Sequence, residues 1–265
     1  MVGRSVRRAL GVAVVAGAVA GGASAASIAV PNGSFEAPDA RTPFGVSTKI
    51  DNWTTYGEAP FDTGGGPASS GTGVFRNVNP DDSVNFDNAT GAQVAYIFTK
   101  ASVPTNRVGL EQVLAATYQA GTAYAVRVDV GLAGSSPGAN DPFTFQLFAV
   151  DPANPGVRTV VATRTVVNDG GASNPLSKTH LNEYLAVSPV LTAADTAIVG
   201  RRIGIEIFTA AGSDPNAVAG RQYDFDNVRV DTPEPAAAGE LAFAVVAALG
   251  RRRRRRVDAA RGRRS

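Results

Sequence analysis

The chain has 265 residues, no cysteine and a formal net charge of +2. The missing cysteines exclude a disulfide-framed fold, so the core must be sufficient on its own or a metal must help. The charge is unevenly spread: Ala26 to Thr232 carries 13 basic and 20 acidic side chains, a net of about −7, so the basic excess sits at the two ends and the body does not suit nucleic acid.

In chain order, Arg4, Arg7 and Arg8 precede the apolar run Ala9 to Ala20 and the small-residue site Ala23-Ser24-Ala25. This is the pattern of a secretory signal peptide, residues 1–25, cleaved after Ala25. The next 207 residues, 26–232, suit one large all-β domain with no internal repeat and no dividing linker. The body opens on Val30-Pro31-Asn32-Gly33-Ser34-Phe35-Glu36, followed by Asp51-Asn52-Trp53. Trp53, Tyr56 and Phe61 then lead into a Gly-rich stretch ending at Gly71, expected as a loop. Aromatic rings beside polar loop residues can stack on sugar, which makes Trp53 and Tyr56 candidate glycan platforms; core packing of Trp53 competes with that reading.

Strands follow at regular spacing. Gln93 to Thr99 and Arg107 to Leu114 read as strands, and Tyr124, Val126, Val128, Val130 and Leu132 alternate with Arg127 and Asp129 as a half-buried antiparallel strand does. Phe143, Phe145 and Leu147 repeat the period, as do Ile203, Ile205 and Ile207; Thr159 to Val167 and Tyr184 to Leu191 are further strand-like runs. Turn signals separate them, and Leu191 to Val199 has room for one short turn started by Thr192. In Tyr223-Asp224-Phe225-Asp226-Asn227-Val228-Arg229-Val230 the apolar phase slips from odd to even positions, which predicts a β-bulge at Asp226-Asn227. Many strands and few helical periods give an all-β, antiparallel β-sandwich, a jelly roll.

Few chemical constellations stand out. His180 is the only histidine and has no cysteine or second histidine beside it, so it reads as a surface residue. Asp87-Asn88-Ala89-Thr90-Gly91 lacks the alternating oxygens and final Glu of an EF-hand and reads as a turn. No pair of carboxylates is singled out by spacing for glycosidase work.

The tail, 233–265, is Pro233-Glu234-Pro235, an apolar helix over 236–250, the arginine cluster 251–256 and nine more residues. If helical, 236–250 extends about 22 Å, short of a hydrocarbon core of about 30 Å. The three-part order resembles the PEP-CTERM sorting domain of Gram-negative bacteria that make exopolysaccharide. That resemblance implies transient inner-membrane anchoring, an exosortase-type sorting peptidase as partner, and a final place at the cell surface or outside it. The sequence departs from it in Glu240 and in an Ala-rich helix.

The opening Asn32-Gly33-Ser34-Phe35-Glu36 with Trp53, and the closing Tyr223 to Val230, resemble the first and last strands of galactose-binding-like and carbohydrate-binding-module jelly rolls. In that resemblance the two strands lie close and share a structural calcium ion, whose carboxylates here are Glu36 and Asp226. Calcium takes six to eight oxygens, which two carboxylates and backbone carbonyls can supply. Ordinary hydrogen-bonded edge residues are the competing reading. Together these features predict a non-enzymatic, exported structural or glycan-associating protein; the alternative is a lyase or hydrolase acting on matrix polysaccharide, since jelly rolls host both.

Overall fold

The computed structural model describes residues 26–40, 46–57, 71–77, 85–99, 107–132, 142–167, 176–177, 179–210 and 221–233. These form twelve strands: β1 (Ala26–Ile28), β2 (Val46–Ser47), β3 (Thr54–Tyr56), β4 (Gly71–Arg76), β5 (Gln93–Thr99), β6 (Arg107–Thr117), β7 (Ala125–Leu132), β8 (Pro142–Val150), β9 (Arg158–Val167), β10 (Asn182–Val187), β11 (Arg202–Ala210) and β12 (Arg221–Thr232). No helix occurs among the described residues. The signal helix, the cleavage site at Ala25, the apolar tail helix and Glu234 and Pro235 lie outside them.

Two antiparallel sheets face each other. The larger runs β10-β7-β12-β5-β4-β2, with β1 also paired to β12; the smaller runs β3-β6-β11-β8-β9. The expected sandwich is therefore the observed one. Alternation explains why. Val126, Val128 and Val130 of β7, Tyr223 and Phe225 of β12, Phe143, Phe145 and Leu147 of β8 and Ile203, Ile205 and Ile207 of β11 all point between the sheets into one apolar cluster. Burying each such side chain stabilises the fold by about 1.5–3 kcal/mol. Phe35 meets Phe225 edge-on at 5.3 Å, and Phe143 lies 5.2 Å from Tyr223, so the aromatic residues join the sheets near the middle of the sandwich.

The bulge lies where the phase slip put it. The register of β12 against β7 shifts between Asp226 and Arg229, and Asn227 takes a positive φ of 55°. The extra residue lets Tyr223 and Phe225 before it, and Val228 and Val230 after it, all face the core.

The opening of the body differs from expectation. Val30 to Glu36 is a turn rather than a strand, with positive φ at Asn32 (52°) and Phe35 (56°). The Asn32 side chain accepts from the Ala37 amide and donates to the carbonyls of Ala37 and Asp51, replacing the ladder a strand would have made. The wholly buried Phe35 ring holds the strained backbone in place. Leu191 to Val199 is a run of turns, in which the Asp195 carboxylate accepts from the Thr192 amide and hydroxyl.

Candidate active site

The site lies on the outer face of the larger sheet, where the alternation of β12 turns Gln222, Asp224 and Asp226 away from the core. Asp224 stands opposite Gly131 of β7 and Tyr96 of β5, and Tyr96 in turn faces Gly73 of β4. Both glycines leave room for rings. A Cβ at Gly131 would come within 2.6 Å of Phe86 and 2.8 Å of Leu181, and one at Gly73 within 2.6 Å of the Tyr96 hydroxyl. Phe75 lies 6.3 Å from Tyr96, and Val94 packs with Phe86 and Leu181, so the carboxyl of Asp224 forms the floor of an apolar, aromatic setting.

Two chain segments cover that floor and are tied together. The Asp87 amide donates to the Thr179 carbonyl, and the Asn88 side chain both donates to and accepts from the backbone of Leu181. His180 Nδ1 lies 2.7 Å from Asp87 Oδ1. Buried Asn77 grips both backbone groups of Phe86 at 2.8 Å. The side chains over Gly131 are thus positioned by specific polar contacts rather than by packing alone.

Asp224 is fully buried. Its Oδ1 accepts from the Gln222 side-chain amide at 2.7 Å, while Oδ2 has no hydrogen-bond partner among the described residues. Burial raises its pKa from 3.8 to about 7, with the Gln222 bond pulling the other way. A carboxyl raised this far keeps its proton through mildly acidic pH and can give and take one near neutrality. Sequence alone does not single out Asp224, because an Asp alternating with core aromatics reads as a solvated outer face. Glycines inside β4 and β7 were the available signal, since strand glycines mark close approach of another group.

The candidate calcium pair converges on one loop. Glu36 Oε1 accepts from the amides of Ala92 and Gln93, and Asp226 accepts from Thr90 through Oδ2 and from Asn227 through Oδ1. A Cβ at Gly91, whose φ is +92°, would lie 2.5 Å from Glu36 Oε1. Burial raises the Asp226 pKa to about 7, and the charges of Asp129 and Glu36 add to the rise. Among the described residues no group of three or more His, Cys, Asp or Glu side chains stands ready for a metal ion. Backbone oxygens would have to complete a calcium shell here.

Trp53 and Tyr56 lie in different places, one in the core and one on an outer face. Trp53 is buried against Phe35 at 5.4 Å, and its indole N–H donates to the Asn32 carbonyl, the core role that competed with sugar stacking. Tyr56 is half-buried on the outer face of the smaller sheet and donates to Glu206 Oε1 at 2.6 Å. Gln146 donates to the other oxygen of Glu206, and Arg158 pairs with Glu111 alongside. Burial and the Glu206 carboxylate push the Tyr56 phenol well above its usual range. His180 is exposed, as expected of the lone histidine.

A family model described as HpiC1 cyclase, of the HpiC1-like family, matches residues 26–231. Among solved structures, the Stig cyclase Fisc from Fischerella sp. TAU, in complex with (3Z)-3-(1-methyl-2-pyrrolidinylidene)-3H-indole, is 24% identical with a TM-score of 0.57, over 79% of this chain and 98% of that one. A cyclase from Fischerella sp. TAU in complex with 4-(1H-indol-3-yl)butan-2-one is 23% identical with a TM-score of 0.56, over 78% and 98%. At this identity the likeness establishes the fold. A CBM22-2 xylan-binding domain from Paenibacillus barcinonensis Xyn10C is 12% identical over 70% of this chain and 94% of that one, and its TM-score of 0.39 is too low to bear on a ligand. No curated protein matches the chain. The family match corrects the expectation of a non-enzymatic structural or glycan-associating protein, and that of a polysaccharide lyase or hydrolase: the matched model is a cyclase.

Proposed function

The chain belongs to the HpiC1-like family, and from that premise we propose that it is a cyclase whose acid is Asp224. One observation carries the assignment: a wholly buried carboxyl with one oxygen lacking any partner among the described residues, opposite Tyr96 on one side and on the other Gly131, which Phe86 and Leu181 overlay. A buried polar atom left unsatisfied costs about 1–3 kcal/mol, and a ligand that pairs with Oδ2 recovers it.

The chemistry such an acid supports is ring closure of an unsaturated, largely apolar molecule. The proton leaves Asp224 for one alkene carbon, and the neighbouring carbon becomes cationic. A nucleophilic ring carbon of the same molecule closes on it, and that carbon's proton returns to the carboxylate. The product is an isomer of the substrate. Aromatic faces stabilise the passing positive charge, which Phe86, Phe75 and Tyr96 are placed to do. The indole ligands of the Fischerella structures are of the flat, aromatic kind that this lining suits.

Calorimetry with 4-(1H-indol-3-yl)butan-2-one, together with turnover of indole-bearing alkenes, tests the reading. Binding and product formation by the wild type, with product lost in Asp224→Asn, are expected. A variant as active as the wild type overturns it.

Two further parts of the proposal rest on other observations. A structural calcium ion at Glu36 and Asp226 would neutralise two carboxylates that repel each other across the loop 90–93; the support is their convergence there. Chelator is then expected to lower the melting midpoint, and an unchanged midpoint removes the ion. The basic-apolar leader and the Pro233-Glu234-Pro235 tail support export, with transient inner-membrane anchoring and an exosortase-type peptidase as partner. Fractionation of tagged protein with and without that peptidase tests this.

A further inference from the structure

We infer that Gln222 is the positioning residue of this site: it holds one oxygen of Asp224 so that the other is presented to a ligand with a single polar group. The inference rests on the assignment of Asp224 above. Gln222 and Asp224 are two apart on β12, and alternation puts both on the same outer face. The Gln222 amide donates to Oδ1 at 2.7 Å.

That bond selects between the two ways a carboxyl group can turn. With Oδ1 held along the strand toward Gln222, Oδ2 has no partner among the described residues, although it is as deeply buried as the rest of the residue. The flanking positions offer nothing polar in its place on one side, since Gly131 has no side chain and is overlaid by Phe86 and Leu181. The ligand implied is therefore an apolar, aromatic molecule with one hydrogen-bonding group near its reacting end. Molecules with several polar groups, such as sugars, would bury the others unpaired.

The role is separable from a purely structural one, because Gln222 is only half-buried at the start of its strand. Gln222→Met keeps the length and removes the donor, and Gln222→Asn keeps the amide and shortens its reach. Isotope-edited infrared spectra of aspartate-labelled protein, with the Asp224 carboxyl band assigned by subtracting Asp224→Asn, read the contact directly. Both variants are expected to shift that band, to keep the wild-type melting midpoint within a few degrees, and to bind 4-(1H-indol-3-yl)butan-2-one about ten-fold more weakly, as loss of one aligned hydrogen bond implies. An Asp224 band unmoved in both variants overturns the positioning role, whatever Asp224→Asn does. If the band moves while Asp224→Asn binds the probe and turns over substrate as the wild type does, the assignment of Asp224 fails instead.

Discussion

The two outer faces of the sandwich each carry a buried acid on a central strand, Asp224 on β12 and Glu206 on β11, and the two are treated in opposite ways. Glu206 has both oxygens taken, by Tyr56 and by Gln146, and Arg158 stands 3.8 Å from it. Asp224 has one oxygen taken by Gln222 and the other unpartnered. The smaller sheet thus uses its acid to hold strands together, and the larger sheet leaves one oxygen of its acid unpaired among the described residues. Burial is therefore common to both acids, and what separates Glu206 from Asp224 is how many of their oxygens are occupied.

The contrast is broken most sharply by neutralising each acid in turn. Asp224→Asn is expected to lower turnover by about 10²–10⁴-fold, the usual contribution of a positioned acid, with little change in fold. Glu206→Gln should leave turnover unchanged, but it sets an amide donor against Gln146 or Tyr56 and lowers stability by about 1–3 kcal/mol in denaturant titration. Reversal of these two outcomes would reverse the assignment of the faces.

The pH dependence of stability sharpens the comparison. Between its unfolded pKa of 3.8 and its folded value of about 7, the unfolded chain releases the Asp224 proton that the folded chain retains. Stability therefore falls as pH rises through this window, by an amount on the order of 4 kcal/mol for a shift of this size. Denaturant midpoints measured from pH 4 to pH 7 are expected to fall more steeply in the wild type than in Asp224→Asn. With chelator present, Asp226 contributes a slope of the same sign in both proteins, so the difference between them isolates Asp224. The smallest effect belongs to Tyr56→Phe, which removes one of the two donors to Glu206 and should cost about 1 kcal/mol in the same titration.

Much of the fold was legible because it depends on local alternation. Gln93–Thr99 is a strand with the bounds read from sequence, and the phase slip located the bulge at Asp226-Asn227. What alternation does not show is pairing that rests on few residues: β1, β2 and β3 have two or three each, and β4 contains two glycines at positions where a strand signal needs bulk. The site was hidden for a different reason. Its acid lies on β12, its flanking glycines on β4 and β7, and its covering residues Phe86 and Leu181 in segments nearly a hundred positions apart. No window of sequence holds them together. Trp53 and Tyr56 were visible as aromatics beside polar residues, but their partners Phe35 and Glu206 were not.

The pairing of β1 with the last residues of β12 sets Ala26 against Thr232, where the Ala26 amide also donates to the Thr232 hydroxyl. Anything joined to either end of the domain therefore departs from one corner, eight positions along β12 from Asp224, or about 26 Å at strand spacing. A tether, a fusion partner or a solid support attached there sits well away from Asp224. A short linker joining the two ends, with new termini opened in a surface connection, should yield a circular permutant that still folds.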